Sequence, residues 1–279
     1  MPDRAGALSR TFAASPALRS RATILKYLER RKVARLLIPP AICERLAASR
    51  FPSSVRAILT GGGPVYPDLI RRLMARVPEA HAVYGSTEAE LIAHIAASEI
   101  TTSDWETMDA GQGILAGDPA ARTLIRIIDD EIQVSGPHVN KSYLDRTQDA
   151  STKAIGADGV VWHRTGDSGR VDADGRLWLL GRIDARVAGL FAFGVEAAAR
   201  LWAGVRQVAL CPGCNGAAIL AIVGDAAQED DWRARAHYLG IEKVVILDEM
   251  PLDRRHGSKV DYAKLKQRIE ASQQSQHIG

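Results

Sequence analysis

The stretch VRAILTGGGPVYPDLIRRLMARVPEAHAVYGSTEAE, residues 55–90, decides how this chain folds. Val55 to Leu59 reads as a buried strand that runs into the triple glycine Gly61-Gly62-Gly63 and Pro64. Tyr66 to Val77 then carries an apolar stripe of Leu69, Ile70 and Leu73 alternating with Arg71, Arg72 and Arg76, which predicts an amphipathic helix. Ala80 to Tyr84 is the next strand. A strand, a crossover helix and a second strand make a parallel pair, and ligands of such sheets gather outside the carboxyl ends of the strands. The glycines and Tyr84 fall at that edge.

Working outward, Ala22 to Lys32 is helical in pattern, Val33 to Ile38 is a short strand closed by Pro39-Pro40, and Ala41 to Ala48 is a helix. After Thr101 the texture changes to short strands and turns. Thr123 to Ile128, an Asp129-Asp130 turn and Glu131 to Val134 begin it, and Trp162-His163, Gly169 to Asp172 and Leu177 to Leu180 continue it. Ala173-Asp174-Gly175 is the tight turn of a hairpin, so this part predicts a small antiparallel β subdomain. From Ile183 onward the order is helix, strand, strand, helix, strand, then a last helix from about Asp261 to Ser272, enough for a separate α/β unit.

With 279 residues, 46% hydrophobic and 25% charged, the chain is long enough to bury one large core or two smaller ones. A net charge of +3 is too mild for a nucleic-acid surface. No apolar run approaches the roughly 20 residues that span a bilayer, and the start lacks a secretory apolar core, so a cytoplasmic address is expected by default. Arg4, Arg10, Arg19 and Arg21 among Ser and Ala faintly resemble a transit peptide, but Asp3 and Pro16 fit an exposed tail better. Three cysteines, an odd number, speak against a disulfide framework. Cys211-Pro212-Gly213-Cys214 lacks a second pair of metal ligands and lies between two apolar runs, which predicts a hairpin turn.

Four blocks carry chemistry: Tyr84-Gly85-Ser86-Thr87-Glu88, Arg164-Thr165-Gly166-Asp167, Gly181-Arg182-Ile183-Asp184 and Gly257-Ser258-Lys259-Val260-Asp261. Glu88 follows a strand and a small-residue turn, from which a carboxylate can hold Mg²⁺. Equally, Ser86 or Thr87 with Glu88 and Glu90 can open a helix as an N-cap. Tyr84 can lay its ring on a flat base with Gly62, Gly63 and Pro64 opposite, or be a core aromatic at a strand end. Asp167 can accept both hydroxyls of a ribose, or serve as the structural Asp of a Gly-Asp turn. Lys259 sits in a Gly-flanked loop, either as a working cation or as a solvated lysine beside Arg254, Arg255 and His256.

The order and wording of these blocks resemble the acyl-adenylate-forming superfamily of acyl-CoA synthetases, peptide-synthetase adenylation domains and luciferases. Leu59 to Val65, Tyr84 to Glu90 and Trp162 to Asp167 look most like the olefin-pathway β-lactone synthetases, and the resemblance runs from about Val33 to about Leu265. It implies an α/β fold, the C-terminal part of an adenylate-forming fold, with a βαβ layer, a small antiparallel β subdomain and a separate α/β lid domain. The expected divisions are a tail and helix at 1–32, a partial large adenylation domain at 33–182 and a lid at 183–279. The implied activity is ATP- and Mg²⁺-dependent, AMP-forming activation of a carboxylic acid, expected to be a fatty or β-hydroxy fatty acid. Two anions meet in that reaction, so positioning and charge neutralisation dominate it. By resemblance Lys259, Thr87 and Glu88 are catalytic, Glu88 holding the metal and Thr87 the α-phosphate. Gly62, Gly63, Pro64 and Tyr84 clasp adenine, Asp167 and Arg182 take the ribose and its phosphate, and Asp184 is the hinge of the lid.

Two departures matter. The Ser/Thr/Gly-rich loop ending in Lys, with which the family wraps the β and γ phosphates, is not found, so the chain is expected to be the C-terminal half to two-thirds of an enzyme. That leaves three expectations: a truncated ligase, an inactive remnant kept as a nucleotide-binding or protein-interaction module, or a chain completed by a separate N-terminal chain or by self-association. The segment Arg186 to Glu196 is apolar where thioester-forming relatives are basic, which favours closure of a β-lactone over transfer to CoA. Leu190, Phe191 and Phe193 there read as packing or as a wall for an apolar tail.

Overall fold

The computed structural model describes residues 20–213, 216–252 and 260–276. It opens with α1 (Arg21–Arg30), capped by the Ser20 hydroxyl accepting from Thr23 N at 3.1 Å. Then come β1 (Arg35–Ile38), α2 (Pro40–Ala47), β2 (Ala57–Gly61), α3 (Pro67–Met74) and β3 (Glu79–Ser86). Both α2 and α3 start with proline at a first-turn position, where its missing N–H costs nothing. β1, β2 and β3 are parallel neighbours, as the strand-helix-strand reading predicts.

The helices pack on one face of these strands. Leu28, Leu46, Leu69 and Leu73 share a buried cluster with Leu36, Ile58, Ala80 and Ala82. The alternate strand residues point the other way, and register sets Leu37, Leu59 and His81 in one row. That face is only partly covered: Leu37, on the edge strand, is 53% exposed, and Leu59, His81 and Val83 are half-buried.

The N-cap alternative for Ser86 does not hold. Ser86 Oγ accepts from the backbone N–H groups of Glu88 and Ala89, both at 3.2 Å, and the turn so made leads into β4 (Glu90–Ala96), antiparallel to β3. A helix here would have lost that pairing, and Ile92 and Ala93 on β4 are fully buried.

The chain continues through α4 (Thr102–Asp109), β5 (Ile114–Pro119), β6 (Leu124–Ile128), β7 (Glu131–Ser135), α5 (Asp149–Thr152), β8 (Lys153–Ile155), β9 (Val161–Val171) and β10 (Leu177–Arg182). These strands are antiparallel, and they are joined to the parallel layer because β4 pairs with β5. One ten-stranded sheet results, in the order β1-β2-β3-β4-β5-β10-β9-β7-β6 with β8 on β9. The antiparallel part is therefore an extension of the first layer.

The last part comprises α6 (Ala192–Ala199), β11 (Val205–Pro212), β12 (Ala218–Gly224), α7 (Glu229–Tyr238), β13 (Lys243–Ile246) and α8 (Tyr262–Gln276), the expected helix and strand order. Its three strands form their own sheet. Val208, Leu210, Leu220 and Ile222 face Val195 of α6 and Trp232 of α7, while Ala209, Cys211, Ala221 and Val223 face Leu265 and Ile269 of α8. Cys211 and Pro212 close β11 at the predicted hairpin connection, and Cys214 lies outside the described residues.

Helix α6 locks the two sheets together. A Cβ on Gly194 would stand 2.1 Å from the carbonyl oxygen of Gly111, so only glycine permits this approach of helix to turn. On the same helix Glu196 is buried and accepts hydrogen bonds from the Tyr66 hydroxyl and from Leu210 N, the latter at 3.0 Å. One turn on, the Arg200 guanidinium lies 4.6 Å from the Tyr66 ring centroid and pairs with Asp68 and Glu44.

Candidate active site

β2 and β3 end side by side. Gly61 pairs with Val83, so Gly62, Gly63 and Pro64 leave the sheet next to Tyr84, at the carboxyl ends of parallel strands. Nothing lies within 4 Å of a Cβ built on Gly62 or Gly63, so the space beside this backbone is open to a flat ligand.

The Tyr84 hydroxyl donates to Asp167 Oδ2 at 2.8 Å across 83 residues of sequence, and Arg182 Nη1 donates to Asp167 Oδ1 at 3.1 Å. A carboxylate oxygen can accept two hydrogen bonds and each here accepts one, so both keep capacity for a hydroxyl pair. Burial pushes the Asp167 carboxyl up, with the Tyr84 and Arg182 bonds opposing and the nearby Asp184 charge adding to it. The Tyr84 phenol is likewise raised, first by burial and then by the Asp167 charge.

The turn that aims Asp167 explains its own wording. Arg164 Nε donates to Glu131 Oε2 at 2.8 Å, and Gly166 N donates to Glu131 Oε1 at 3.2 Å. Thr165 Oγ1 donates to Ile132 O at 2.8 Å and accepts from Asp167 N at 3.0 Å. Gly166 has φ +69, a left-handed conformation that glycine tolerates, and an added Cβ would stand 2.8 Å from Arg182 Nη2. Every residue of the block thus holds the turn or presents the carboxylate.

Glu88 stands on the β3–β4 turn, half-buried beside the exposed Thr87. Burial alone would raise its carboxyl, but hydrogen bonds from the Tyr143 hydroxyl, from backbone and from Ser86 outweigh that and hold it below the ordinary value. An ionised, hard oxygen donor suits Mg²⁺. Among the described residues no group of three or more metal-ligating side chains exists.

Tyr84, Asp167 and Arg182 therefore come together, and Gly62 to Pro64 lie beside Tyr84. Asp184 is exposed, its Oδ1 lying 3.6 Å from Arg182 Nε. Lys259 lies outside the described residues. Leu190 and Phe193 pack into the core of the C-terminal unit, and Phe191 lies under Arg186 with 4.8 Å from guanidinium to ring centroid, so packing is their observed role.

Sequence reading missed the neighbours of Glu88. Tyr143, Lys153 and His163 gather behind it, the first two from a stretch with no periodic pattern and the last from a block quoted without assigning this histidine a role. It also missed Tyr66, Glu196 and Arg200, which look in sequence like ordinary helix residues; a glutamate inside the apolar Ala192–Ala199 run was the available signal.

A profile of the family described as AMP-binding enzyme matches residues 4–144, just over half of the chain. Olefin beta-lactone synthetase of Stenotrophomonas maltophilia is 30% identical over 284 residues, covering 85% of this chain and 51% of that protein. In solved structures, O-succinylbenzoate coenzyme A synthetase of Bacillus subtilis, in complex with ATP and magnesium ion, superposes with a TM-score of 0.67 at 25% identity, covering 88% of this chain and 54% of that one. Amide bond synthetase of Marinactinospora thermotolerans superposes with a TM-score of 0.70 at 23% identity over 89% of this chain and 55% of that one, which shows a shared fold. The chain spans about half the length of these relatives.

Proposed function

Because this chain belongs to the family of AMP-binding enzymes, within the adenylate-forming superfamily, we propose that it supplies the adenosine side of a carboxylic-acid-activating site. The observation that carries this reading is the convergence of Tyr84, Asp167 and Arg182 beside the open Gly62-Gly63 backbone. In the reaction a substrate carboxylate attacks the α-phosphate of ATP, and the bond to the pyrophosphate leaving group breaks. Tyr84 and the glycine backbone orient adenine, Asp167 receives the ribose hydroxyls, and Arg182 adds positive charge on the phosphate side. Thr87 meets the α-phosphate. Mg²⁺, when bound with the nucleotide, neutralises charge on phosphate oxygens, and Glu88 would hold it. Lys259 is assigned to the substrate carboxylate and α-phosphate, and Asp184 to the hinge.

The substrate class we favour is a fatty or β-hydroxy fatty acid, its adenylate being captured by its own hydroxyl or passed to an acceptor. The 30% identity to a protein named olefin beta-lactone synthetase supports it. No helix among the described residues is long and apolar enough to cross a membrane, and the free, buried thiols of Cys43 and Cys211 suit a reducing, cytoplasmic compartment. We assign the partly covered face around Leu37, Leu59 and Val83 to a further layer of the same fold, because parallel strands are normally covered on both faces. A chain lacking that layer is expected to self-associate or to bind a complementary chain through it.

Calorimetric titration with AMP and with MgATP, on wild type and Asp167→Ala, tests the reading. AMP binding that the substitution abolishes supports it. No binding of either nucleotide overturns it and leaves a protein-interaction module.

A further inference from the structure

Residues 136–152 run from β7 to β8 as a strap that crosses the turn bearing Glu88. Asn140 N donates to the Glu88 carbonyl at 2.7 Å, and the Tyr143 hydroxyl donates to Glu88 Oε1 at 2.8 Å, bridging 55 residues of sequence. The strap is itself tied down. Tyr143 N donates to Asp149 Oδ1 at 2.9 Å, and the Lys153 ammonium donates to Asn140 O and lies 5.2 Å from the Tyr143 ring centroid. Behind it, His163 Nδ1 lies 3.3 Å from Lys153 Nζ and 3.2 Å from Thr152 O.

We infer that Tyr143 is a positioning residue: through its hydroxyl it fixes the Glu88 carboxylate in the one orientation that offers the other oxygen to a nucleotide-borne divalent cation. This rests on the reading of Glu88 given above. A glutamate on a turn has three side-chain torsions to order, and a single cation–oxygen contact must bear that entropic cost if nothing else does. A phenol hydrogen bond to one oxygen orders the group before the cation arrives and leaves the second oxygen available. Groups that hydrogen-bond a metal-bearing carboxylate act on metal affinity without touching the metal, and their loss typically weakens it about tenfold or more. Asn140 and Lys153 hold the strap, so that Tyr143 reaches Glu88 from a fixed base.

The test is calorimetric binding of ATP with Mn²⁺ and with EDTA, on wild type, Glu88→Gln, Tyr143→Phe and the neighbouring exposed Leu144→Ala as control. In wild type Mn²⁺ tightens ATP binding. Glu88→Gln is expected to lose that gain, Tyr143→Phe to lose about tenfold of it, and Leu144→Ala to keep it, while AMP affinity in EDTA stays the same in all four. A Tyr143→Phe protein with the wild-type gain, or one whose metal-free AMP binding falls by the same factor, overturns the inference while leaving Glu88 in place. No gain in wild type, or an undiminished gain in Glu88→Gln, removes the reading of Glu88 itself. Should Tyr143→Phe not fold, Tyr143→Leu removes the same hydroxyl and is expected to lose a similar part of the gain, and a wild-type gain there overturns the inference.

Discussion

Arg200 Nε, at the C-terminal cap of α6, donates to Asp68 Oδ1, on α3, at 2.7 Å, and with this bond the C-terminal unit is fastened to the parallel layer of the large sheet. The same guanidinium reaches Glu44 on α2 and lies over the Tyr66 ring. Asp68 also pairs with Arg72 at 2.9 Å, so one carboxylate serves two cations.

Arg200→Met removes the shared cation and leaves Glu44 unpaired and Asp68 with Arg72 alone. We expect a loss of about 2–3 kcal/mol, below the larger figure for a fully buried pair because these groups keep some solvent contact. Urea denaturation measures it, and a change within about 0.5 kcal/mol, the usual range for surface sites, would show that the contact is not a fastening.

Glu196 should give the protein a pH-dependent stability. Burial raises its carboxyl from 4.5 to about 7, opposed by Tyr66, Leu210 N and Arg200; the Cys211 thiol, across the sheet, and the Tyr262 phenol lie within electrostatic range of it. The folded state thus binds a proton that the unfolded chain has released, so this stability is full below about 4.5 and is lost as pH rises through about 7. Relative to Glu196→Gln, wild type should lose up to about 3 kcal/mol across that window, and parallel stability curves for the two proteins would refute the assignment.

Gly194→Ala sets helix propensity against packing. Alanine in a helix interior is worth about 1 kcal/mol over glycine, yet the new methyl would press on the Gly111 carbonyl. Overpacking of this kind costs about 1–3 kcal/mol, and we expect net destabilisation in thermal melts. A stabilised variant would mean that α6 can withdraw from the turn without loss.

Glu131→Ala frees the Arg164–Asp167 turn without touching Asp167. AMP affinity should fall about tenfold, ~1.4 kcal/mol, with Glu131→Gln affected less because one oxygen acceptor remains. Titration calorimetry on both variants reads this out, and unchanged affinity in the alanine variant would mean that the turn holds its shape unaided.

Much of the candidate site was legible because it is written locally. Gly62 to Pro64 mark a strand end, Gly166 marks a left-handed turn, and Tyr84 and Asp167 occupy the ends of recognisable blocks. The neighbourhood of Glu88 was not legible. Tyr143 and Lys153 belong to a strap without period or motif, and only its path across the β3–β4 turn gives them a partner. The turn itself was open to two readings in sequence, since a hydroxyl followed by carboxylates caps a helix or closes a hairpin equally well. Strand pairing of Val83 with His94 and Tyr84 with Ala93 decided for the hairpin.

By itself, the sequence determined the order of helices and strands from α1 to β3 and beyond Ile183, the parallel sense of β1 to β3 and the chemical types available at their carboxyl ends, but not β4, α4 or β5, which join the two. Periodicity and turn chemistry act over a few residues, and the chain states them directly. Which of those groups meet was decided by tertiary structure: the register that brings Tyr84 to Asp167, the strap that brings Tyr143 to Glu88, and the close approach at Gly194 that brings Glu196 to Tyr66. Such contacts depend on how sheets join and helices seat, a balance of burial and pairing over the whole molecule that no local pattern records.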